Sequence, residues 1–116
     1  MRNIIKIKNI YHNNTPSRFF NKNHVRKLKK LVGKKCEVCN SNKKLQADHW
    51  FPYSKYYKIY NKKVSSIENC VILCEKCNTV KADNLGFFLV KQGLCDYDIW
   101  KKINDRVKNL SGINEK

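Results

Sequence analysis

Hydrophobic positions in the first part of the chain predict an extended arm followed by one amphipathic helix. Ile5 and Ile7 alternate with lysines, and this period of two is typical of a strand or an extended segment. From about residue 23 to residue 32 the spacing becomes helical, because apolar residues recur every three or four positions opposite a basic side. The apolar stripe consists of Val25, Leu28, Leu31 and Val32. Gly33 stands where a helix C-terminal cap is expected.

Helical spacing returns near the end of the chain. Asp96 is expected to cap a last helix that ends before Gly112, and we expect its apolar stripe to face the core. This stripe consists of Ile99, Ile103, Val107 and Leu110. The stretch from Gly86 to Gly93 contains four consecutive apolar residues and predicts a short buried helix or turn against the last helix.

Four of the six cysteines form two CxxC pairs, Cys36/Cys39 in CEVCN and Cys74/Cys77 in CEKCN. Each pair supplies two thiolates from one tight turn, and four thiolates complete the tetrahedral shell that a structural zinc ion prefers. Lysines interrupt the apolar residues of the N-terminal stretch, so no secretory core of normal length is expected and a cytoplasmic location follows. Without export, paired CxxC motifs favour metal over disulfides. The two remaining cysteines, Cys70 and Cys95, are expected to be buried small side chains.

The sequence around these pairs resembles the HNH endonucleases, the ββα-metal nuclease family. Members carry an Asp-His or His-His pair on a first strand, an Asn before a second strand, and a His or Asn at the start of a helix. The matching positions here are Asp48-His49 within LQADHW, Asn69 before the apolar run CVIL, and Asn78. The resemblance covers roughly residues 34 to 83 and matches the zinc-bearing branch, with Asn78 making this an HNN variant.

This resemblance implies an α+β fold, a small ββα-metal (His-Me finger) core stapled by the four-cysteine zinc site, with flanking helices. It also implies hydrolysis of phosphodiester bonds to leave 5′-phosphate and 3′-hydroxyl ends. Restriction, intron homing, phage packaging and host defence are all roles of this core. The sequence does not distinguish between them.

Phosphodiester chemistry gives each matching residue an expected role. His49 suits the general base, because an imidazole with an ordinary pKa of about 6.5 is largely neutral near pH 7. Asp48 and Asn78 together offer a carboxylate and an amide oxygen, which a hard cation such as Mg²⁺ or Mn²⁺ accepts. Asn69 is expected to hold the backbone between the two strands and thereby aim His49.

The charge of the chain points to a polyanionic partner. Lys and Arg number 25 against 9 Asp and Glu, which gives a formal net charge of +16. A charge of this size favours nucleic acid, and the resemblance implies double-stranded DNA. The expected contacts are Arg26, Lys27 and Lys30 on the first helix, Lys55, Tyr56 and Lys58 in a loop from Trp50 to Ile67, and Lys81 beyond Asn78.

We expect one domain of 116 residues, with a basic arm and helix at 1–33, the core at 34–83 and a helical tail at 84–116. The domain would act as a monomer or a homodimer, and no apolar run approaches the roughly 20 residues of a membrane span. Two other classes stay open at this point. One is a non-catalytic zinc module that binds DNA or RNA, and the other is a protein-interaction zinc domain, which the high positive charge disfavours.

Overall fold

The computed structural model describes residues 16–107 of the chain. The element order there is α1 (Lys22–Leu31), β1 (Leu45–His49), α2 (Tyr53–Tyr60), two 3-10 turns (Asn61–Ser65 and Ile67–Asn69), β2 (Cys70–Cys74), α3 (Glu75–Lys81), α4 (Phe87–Lys91) and α5 (Tyr97–Val107). The arm expected at Ile5 and Ile7 and the helix end expected near Leu110 and Gly112 lie outside the described residues. No helix within residues 16–107 is long and apolar enough to cross a bilayer.

An antiparallel strand pair followed directly by a helix forms the centre of this α+β fold. The register pairs Leu45 with Cys74 at one end of the ladder and His49 with Cys70 at the other. β2 is buried along its whole length, whereas every residue of β1 is half-buried. Because α3 begins immediately after β2, the order is ββα, as the resemblance implies.

Alternate side chains of β2 face two separate apolar clusters, as the period of a strand requires. Cys70 and Ile72 pack with Leu28 of α1. Val71 and Leu73 join a larger cluster that includes Ile103 and Val107 of α5. The two helices therefore cover opposite faces of the strand pair.

The predicted stripe of α1 is correct except at Leu31. Leu28 is buried, and Val25 and Val32 pack against the same cluster. Leu31 is 83% exposed. It lies outside the i, i+3, i+7 line of the three packed residues, so its side chain leaves the core side of the helix.

The segment from Trp50 to Ile67, expected to be a loop, contains the helix α2 and the 3-10 turn Asn61–Ser65. Pro52 precedes the first turn of α2, a place where its missing N–H costs nothing. Tyrosines four residues apart then stack on one another, Tyr53 on Tyr57 at 5.2 Å and Tyr56 on Tyr60 at 5.5 Å between ring centroids. This i, i+4 spacing of aromatic residues is the helical signal that the loop interpretation missed.

Two contacts attach the C-terminal helices to the strand pair. Arg106 of α5 forms an ion pair with Glu37, and the Glu37 carboxylate also accepts a 2.8 Å hydrogen bond from the backbone N–H of Ile72. Trp50 packs over Gly86, where an added Cβ would lie 2.1 Å from the indole ring. Glycine is therefore required at this close approach.

Candidate metal centre and active site

Four thiols converge at the end of the ladder where Leu45 pairs with Cys74. The Sγ atoms of Cys36, Cys39, Cys74 and Cys77 all lie within 4.8 Å of one another, and those of Cys39 and Cys74 are 3.5 Å apart. Zinc with Zn–S distances of about 2.3 Å holds its sulfurs about 3.8 Å apart, so small shifts would accommodate it. In the described part of the chain, no other group of three or more His, Cys, Asp or Glu offers such a cluster.

Backbone N–H groups already point at these sulfurs. Val38 and Cys39 each donate to Cys36 Sγ at 3.4 Å, and Cys77 donates to Cys74 Sγ at 3.5 Å. Burial raises the pKa of the Cys77 thiol. Burial also acts against ionisation of Cys74, but the N–H of Cys77 and the neighbouring thiols outweigh it and lower the pKa of Cys74. The cluster is compatible with a zinc site, as the spacing predicts.

The two other cysteines lie buried outside this cluster, as expected. Cys70 is 0% exposed and Cys95 is 5% exposed. Burial, with nearby acidic charge, raises the pKa of Cys70 to about 12 and that of Cys95 to about 11. Both are therefore neutral thiols that fill the core.

At the opposite end of the ladder, Asp48 faces α3. Lys81 Nζ lies 3.3 Å from Asp48 Oδ2 and donates a 2.9 Å hydrogen bond to the carbonyl oxygen of His49. Apart from this ion pair, Asp48 Oδ2 is buried without a hydrogen-bond partner among residues 16–107. Burial raises the pKa of Asp48, and Lys81 acts against that rise. A buried carboxylate oxygen that accepts no hydrogen bond is costly, and a bound cation would relieve part of that cost.

His49 projects from β1 towards the segment that precedes α1. Its Nε2 lies 3.0 Å from Ser65 Oγ, and its ring centroid is 4.3 Å from that of Phe20 and 5.6 Å from that of Tyr53. Burial, together with the charges of Arg18 and Lys81, lowers the pKa of His49 to about 4. The imidazole is therefore neutral near pH 7, the state that a general base needs.

Asp48 and His49 reach one small cavity although they are neighbours on a strand. The cavity has a volume of about 140 Å³ and is lined by Arg18, Asp48, His49, Pro52, Tyr53, Ser54, Ala82 and Asp83. A water molecule occupies about 30 Å³ in the liquid, so the cavity has room for several. A neutral imidazole and a carboxylate thus line one cavity that is large enough for water.

Asn78 lies on α3, one turn before Lys81. Its Nδ2 donates to Oε1 of Gln46, which shares a face of β1 with Asp48. Because Nδ2 is engaged, the amide oxygen is the atom of Asn78 left for a cation. No hydrogen bond joins Asn78 to Asp48, and Asn78 does not line the 140 Å³ cavity. The structure therefore brings Asn78 to the strand of Asp48 without direct contact between the two side chains.

Asn69 is fully buried and connects both ends of the segment between the strands. Its Oδ1 accepts from the N–H of Phe51 at 2.8 Å, and its Nδ2 donates to the carbonyl oxygens of Val64 and Phe51 at 2.8 and 3.0 Å. The carbonyl oxygen of Asn69 also accepts from the N–H of Trp50 at 2.8 Å. These bonds fix the chain immediately after His49.

Most residues expected to contact nucleic acid lie at the surface. Arg26, Lys27 and Lys30 are exposed on α1, Lys55 and Lys58 are exposed on α2, and Tyr56 is half-buried. Lys81 departs from this expectation. Its side chain is 0% exposed because α3 packs this residue against β1, and its ammonium is engaged with Asp48 and the His49 carbonyl. It offers no free ammonium to a phosphate at the surface.

Three residues at the site were missed by sequence reasoning. Arg18 borders the small cavity, Ser65 contacts His49, and Gln46 holds Asn78. Strand alternation could have found Gln46, since it lies two residues before Asp48. Arg18 and Ser65 lie in segments without periodicity, and only the folded chain brings them to His49.

A strand pair followed by a helix, a four-thiol cluster at one end and an Asp-His pair at the other define the ββα-metal class of nuclease domain. The sequence model of the HNH endonuclease family matches residues 36–84, which contain all of these features. This match supports a nuclease-type function in general, with nucleic acid as the partner. Searches among curated proteins and among solved structures found no match.

Proposed function

We propose that this protein is a metal-dependent DNA endonuclease that hydrolyses phosphodiester bonds. The observation that carries the proposal is the cavity where neutral His49 meets Asp48, whose buried oxygen has no hydrogen-bond partner. Hydrolysis needs a base for the attacking water and a cation for the negative charge on the phosphate. His49 and Asp48 are residues of the types that supply them.

His49 is the general base in this proposal. Its pKa of about 4 keeps the imidazole neutral under physiological conditions, so it is ready to accept a proton from water. A phosphate in the cavity would raise this pKa, because a nearby negative charge stabilises imidazolium. The proton-accepting strength of His49 would therefore increase once the substrate is bound.

Asp48 and Asn78 would hold the divalent cation. One carboxylate and one amide oxygen leave the remaining positions to water, an arrangement that suits Mg²⁺ or Mn²⁺. When bound, the cation stabilises negative charge on the phosphate and on the departing oxygen. Lys81 keeps Asp48 against α3 through their ion pair, and Asn69 holds the backbone behind His49.

The partner in this proposal is double-stranded DNA, bound by the positively charged surface of a monomer or a homodimer. Sequence-independent attraction to phosphates would come from Arg26, Lys27 and Lys30 on α1 and from Lys55, Tyr56 and Lys58 on α2. We propose that the whole chain is one nuclease domain, with the basic arm and helix (1–33) and the helical tail (84–116) flanking the core (34–83). A phage, homing or restriction role is consistent with this activity.

Cleavage of supercoiled plasmid DNA in Mg²⁺ or Mn²⁺ tests the proposal. His49→Ala removes the base but leaves the basic surface, so cleavage should fall by roughly 10²–10⁴-fold while DNA affinity barely changes. His24→Ala is the matched control, because His24 is exposed on α1 away from the small cavity, and it should cleave like the parent. A parent protein that cuts with neither cation would exclude the endonuclease, and full cleavage by His49→Ala would exclude His49 as its base.

One observation favours a second candidate, a non-catalytic zinc module that binds DNA or RNA. The ammonium of Lys81 lies 3.3 Å from the Asp48 oxygen that a catalytic cation would need, so Asp48 already has a positive neighbour. Under this alternative, Mg²⁺ would neither bind at Asp48 nor promote cleavage. Isothermal titration of Mg²⁺ into the zinc-loaded protein and its Asp48→Ala variant separates the two candidates.

A further inference from the structure

A groove runs between α1 and the end of β1 on the side of the molecule that carries His49. It has a volume of about 510 Å³, and its walls combine positive charge, apolar surface and the candidate base. The positive residues are Arg18, Lys22, Arg26 and Lys29, and the apolar ones include Phe19, Phe20 and Val25. Within residues 16–107, no acidic side chain lines the groove.

Three of the four positive charges of the groove come from one face of α1. Lys22, Arg26 and Lys29 follow the i, i+4, i+7 spacing that places side chains in line along a helix. Lys27 and Lys30 lie farther around the helix and border a different hollow. Among residues 16–107, none of the four groove cations forms an ion pair with a carboxylate. Their charge is therefore available to an anionic partner.

The groove leads to the Asp48-His49 cavity. Arg18 and His49 line both spaces, so the two cavities meet at these side chains. The Arg18 guanidinium lies 4.9 Å from the centroid of the Tyr53 ring, a cation–π contact that holds it at this junction. A polyanion that occupies the groove would therefore pass Arg18 just before it reaches His49.

We propose that this groove binds the backbone of the DNA strand that is cut, with Lys22, Arg26 and Lys29 on successive phosphates and Arg18 on the phosphate nearest His49. The inference rests on the proposed endonuclease function and specifies its substrate path. Phe19 is 82% exposed at the groove wall, where an aromatic ring can pack against sugars or bases. Lys27 and Lys30 act on DNA only through the general positive field.

Two double variants with equal loss of charge test the groove. Lys22→Ala/Lys29→Ala removes two groove cations, and Lys27→Ala/Lys30→Ala removes two lysines of the same helix outside the groove. A plot of log affinity against log salt concentration has a negative slope, and each lost phosphate contact makes that slope shallower by about one. The slope for the groove variant should be shallower by about two. This variant should also bind DNA at least tenfold more weakly at low salt than the other variant. Equal losses in the two variants, with a parent that cleaves DNA, would overturn the groove and leave the endonuclease intact.

Arg18→Gln tests the junction separately. If Arg18 contacts the phosphate that is attacked, kcat should fall by roughly 10²-fold, as for other preorganised charge-stabilising donors. Lys29→Ala removes the same charge farther along the groove and should change affinity with little change in kcat. An Arg18→Gln variant whose kcat equals that of Lys29→Ala would place the attacked phosphate elsewhere.

A second inference comes from the hydrogen bonds of Ser65. The Ser65 hydroxyl donates to the carbonyl oxygen of Ser17 at 2.5 Å, and His49 Nε2 lies 3.0 Å from Ser65 Oγ. A serine hydroxyl has one proton, and Ser65 uses it in the hydrogen bond to the Ser17 carbonyl oxygen. Ser65 Oγ can therefore only accept a hydrogen bond from His49. The Nε2 atom must therefore carry the proton, which leaves the lone pair on Nδ1.

We infer that Ser65 is a positioning residue that holds His49 in the Nε2-protonated tautomer, with Nδ1 as the proton-accepting atom. Ser17 reinforces this arrangement by fixing the direction of the Ser65 hydroxyl. The segment before α1 would thereby contribute to the site through its backbone, although it lies outside the residues that match the family. The expected effect on cleavage rests on the base role proposed for His49. The tautomer itself does not depend on that role.

Nitrogen-15 NMR of the His49 ring tests this inference without measuring activity. The parent should show a protonated Nε2 and an unprotonated Nδ1 at pH 7, and Ser65→Ala should show a mixture of tautomers with roughly tenfold lower kcat. Ser66→Ala is the control, because Ser66 bonds the carbonyl oxygen of Lys63 instead and should leave both readouts unchanged. A parent ring protonated on Nδ1, or a Ser65→Ala ring identical to the parent's, would overturn the inference whether or not the protein cuts DNA.

Discussion

The two ends of the β1-β2 ladder carry sites of opposite construction. At the end where Leu45 pairs with Cys74, four thiols from two short motifs point at one another. At the end where His49 pairs with Cys70, Asp48 and His49 meet only in a cavity that α2, the turn after α3 and the segment before α1 help to enclose. Four residues of strand separate the ends, about 14 Å. The first site consists of two short motifs that each supply a complete pair of thiols, whereas the second is assembled from single residues of several segments.

This difference has an energetic side. A bound zinc ion would satisfy all four thiolates, and the free energy of metal binding would add directly to folding. Asp48 and Lys81 are instead buried charges whose ion pair leaves one carboxylate oxygen without a hydrogen bond. A site that must exchange a cation and admit a substrate cannot satisfy every polar atom beforehand. The cysteine end would therefore supply the stability that the other end lacks.

The strongest test of this division is to remove zinc from the four-cysteine site. Cys39→Ser deletes one thiolate, and structural zinc contributes about 10 kcal/mol or more in small metal-dependent domains, so we expect loss of most of the fold. Circular dichroism and zinc content per chain measure the result. Cys95→Ala removes a buried thiol outside the cluster and should retain both zinc and a cooperative transition. A metal-free Cys39→Ser protein with unchanged melting would show that the four cysteines do not support the fold.

A chelator should distinguish the two ends in the parent protein. Zinc held by four thiolates has no open position, whereas the proposed catalytic cation exchanges with solvent. Brief EDTA treatment should abolish plasmid cleavage while the protein keeps its zinc and its fold, and added Mg²⁺ or Mn²⁺ should restore cleavage. Cleavage that persists in EDTA would contradict a cation at Asp48.

Variants of the two proposed ligands refine the same test. Asp48→Ala deletes the only anionic ligand, so its Mg²⁺ requirement should rise more than that of Asn78→Ala. Asn78→His should shift the preference towards nickel, cobalt or manganese, because imidazole suits these ions better than magnesium. An Asp48→Ala variant with a normal response to magnesium would show that the cation lies elsewhere.

The comparison also explains which parts of the structure could be predicted from the sequence. The CxxC pairs are local, so their spacing alone predicts the metal cluster that the structure forms. The stripes of α1 and α5 follow from periodicity, apart from Leu31 at the edge of its stripe. The helix α2 was missed because its inner face consists of tyrosines set among lysines, a pattern interpreted as a nucleic-acid-binding loop, whereas those tyrosines stack and pack against the core.

The surroundings of His49 were beyond sequence reasoning for a physical reason. Arg18 and Ser65 are 31 and 16 residues away along the chain, and neither belongs to a motif or a stripe. Lys81 was expected to contact DNA because it lies three residues beyond Asn78 on the helix, yet it is buried and bonded to Asp48 and the His49 carbonyl. Charge alone could not reveal which lysine is inside and which is outside.

The smallest expected effect is on the pH dependence of cleavage, and it tests whether His49 is as well shielded from solvent as its position in the structure implies. The base must be neutral, and the pKa of His49 is lowered to about 4, so kcat/KM should change less than about twofold between pH 7.5 and pH 5.5. With an ordinary histidine pKa of about 6.5, kcat/KM would fall about tenfold over the same interval.

Protonation of Asp48, whose pKa is raised, would also lower kcat/KM at acid pH. Protons compete with the cation at Asp48, so increasing Mg²⁺ would move this decline to lower pH and leave the His49 limb in place. Arg18→Gln removes one of the two cations that lower the pKa of His49 and should move the His49 limb to higher pH, whatever its effect on the rate. A tenfold loss at pH 5.5 in saturating Mg²⁺ would show that His49 is solvated and that segment 16–20 does not cover it in solution.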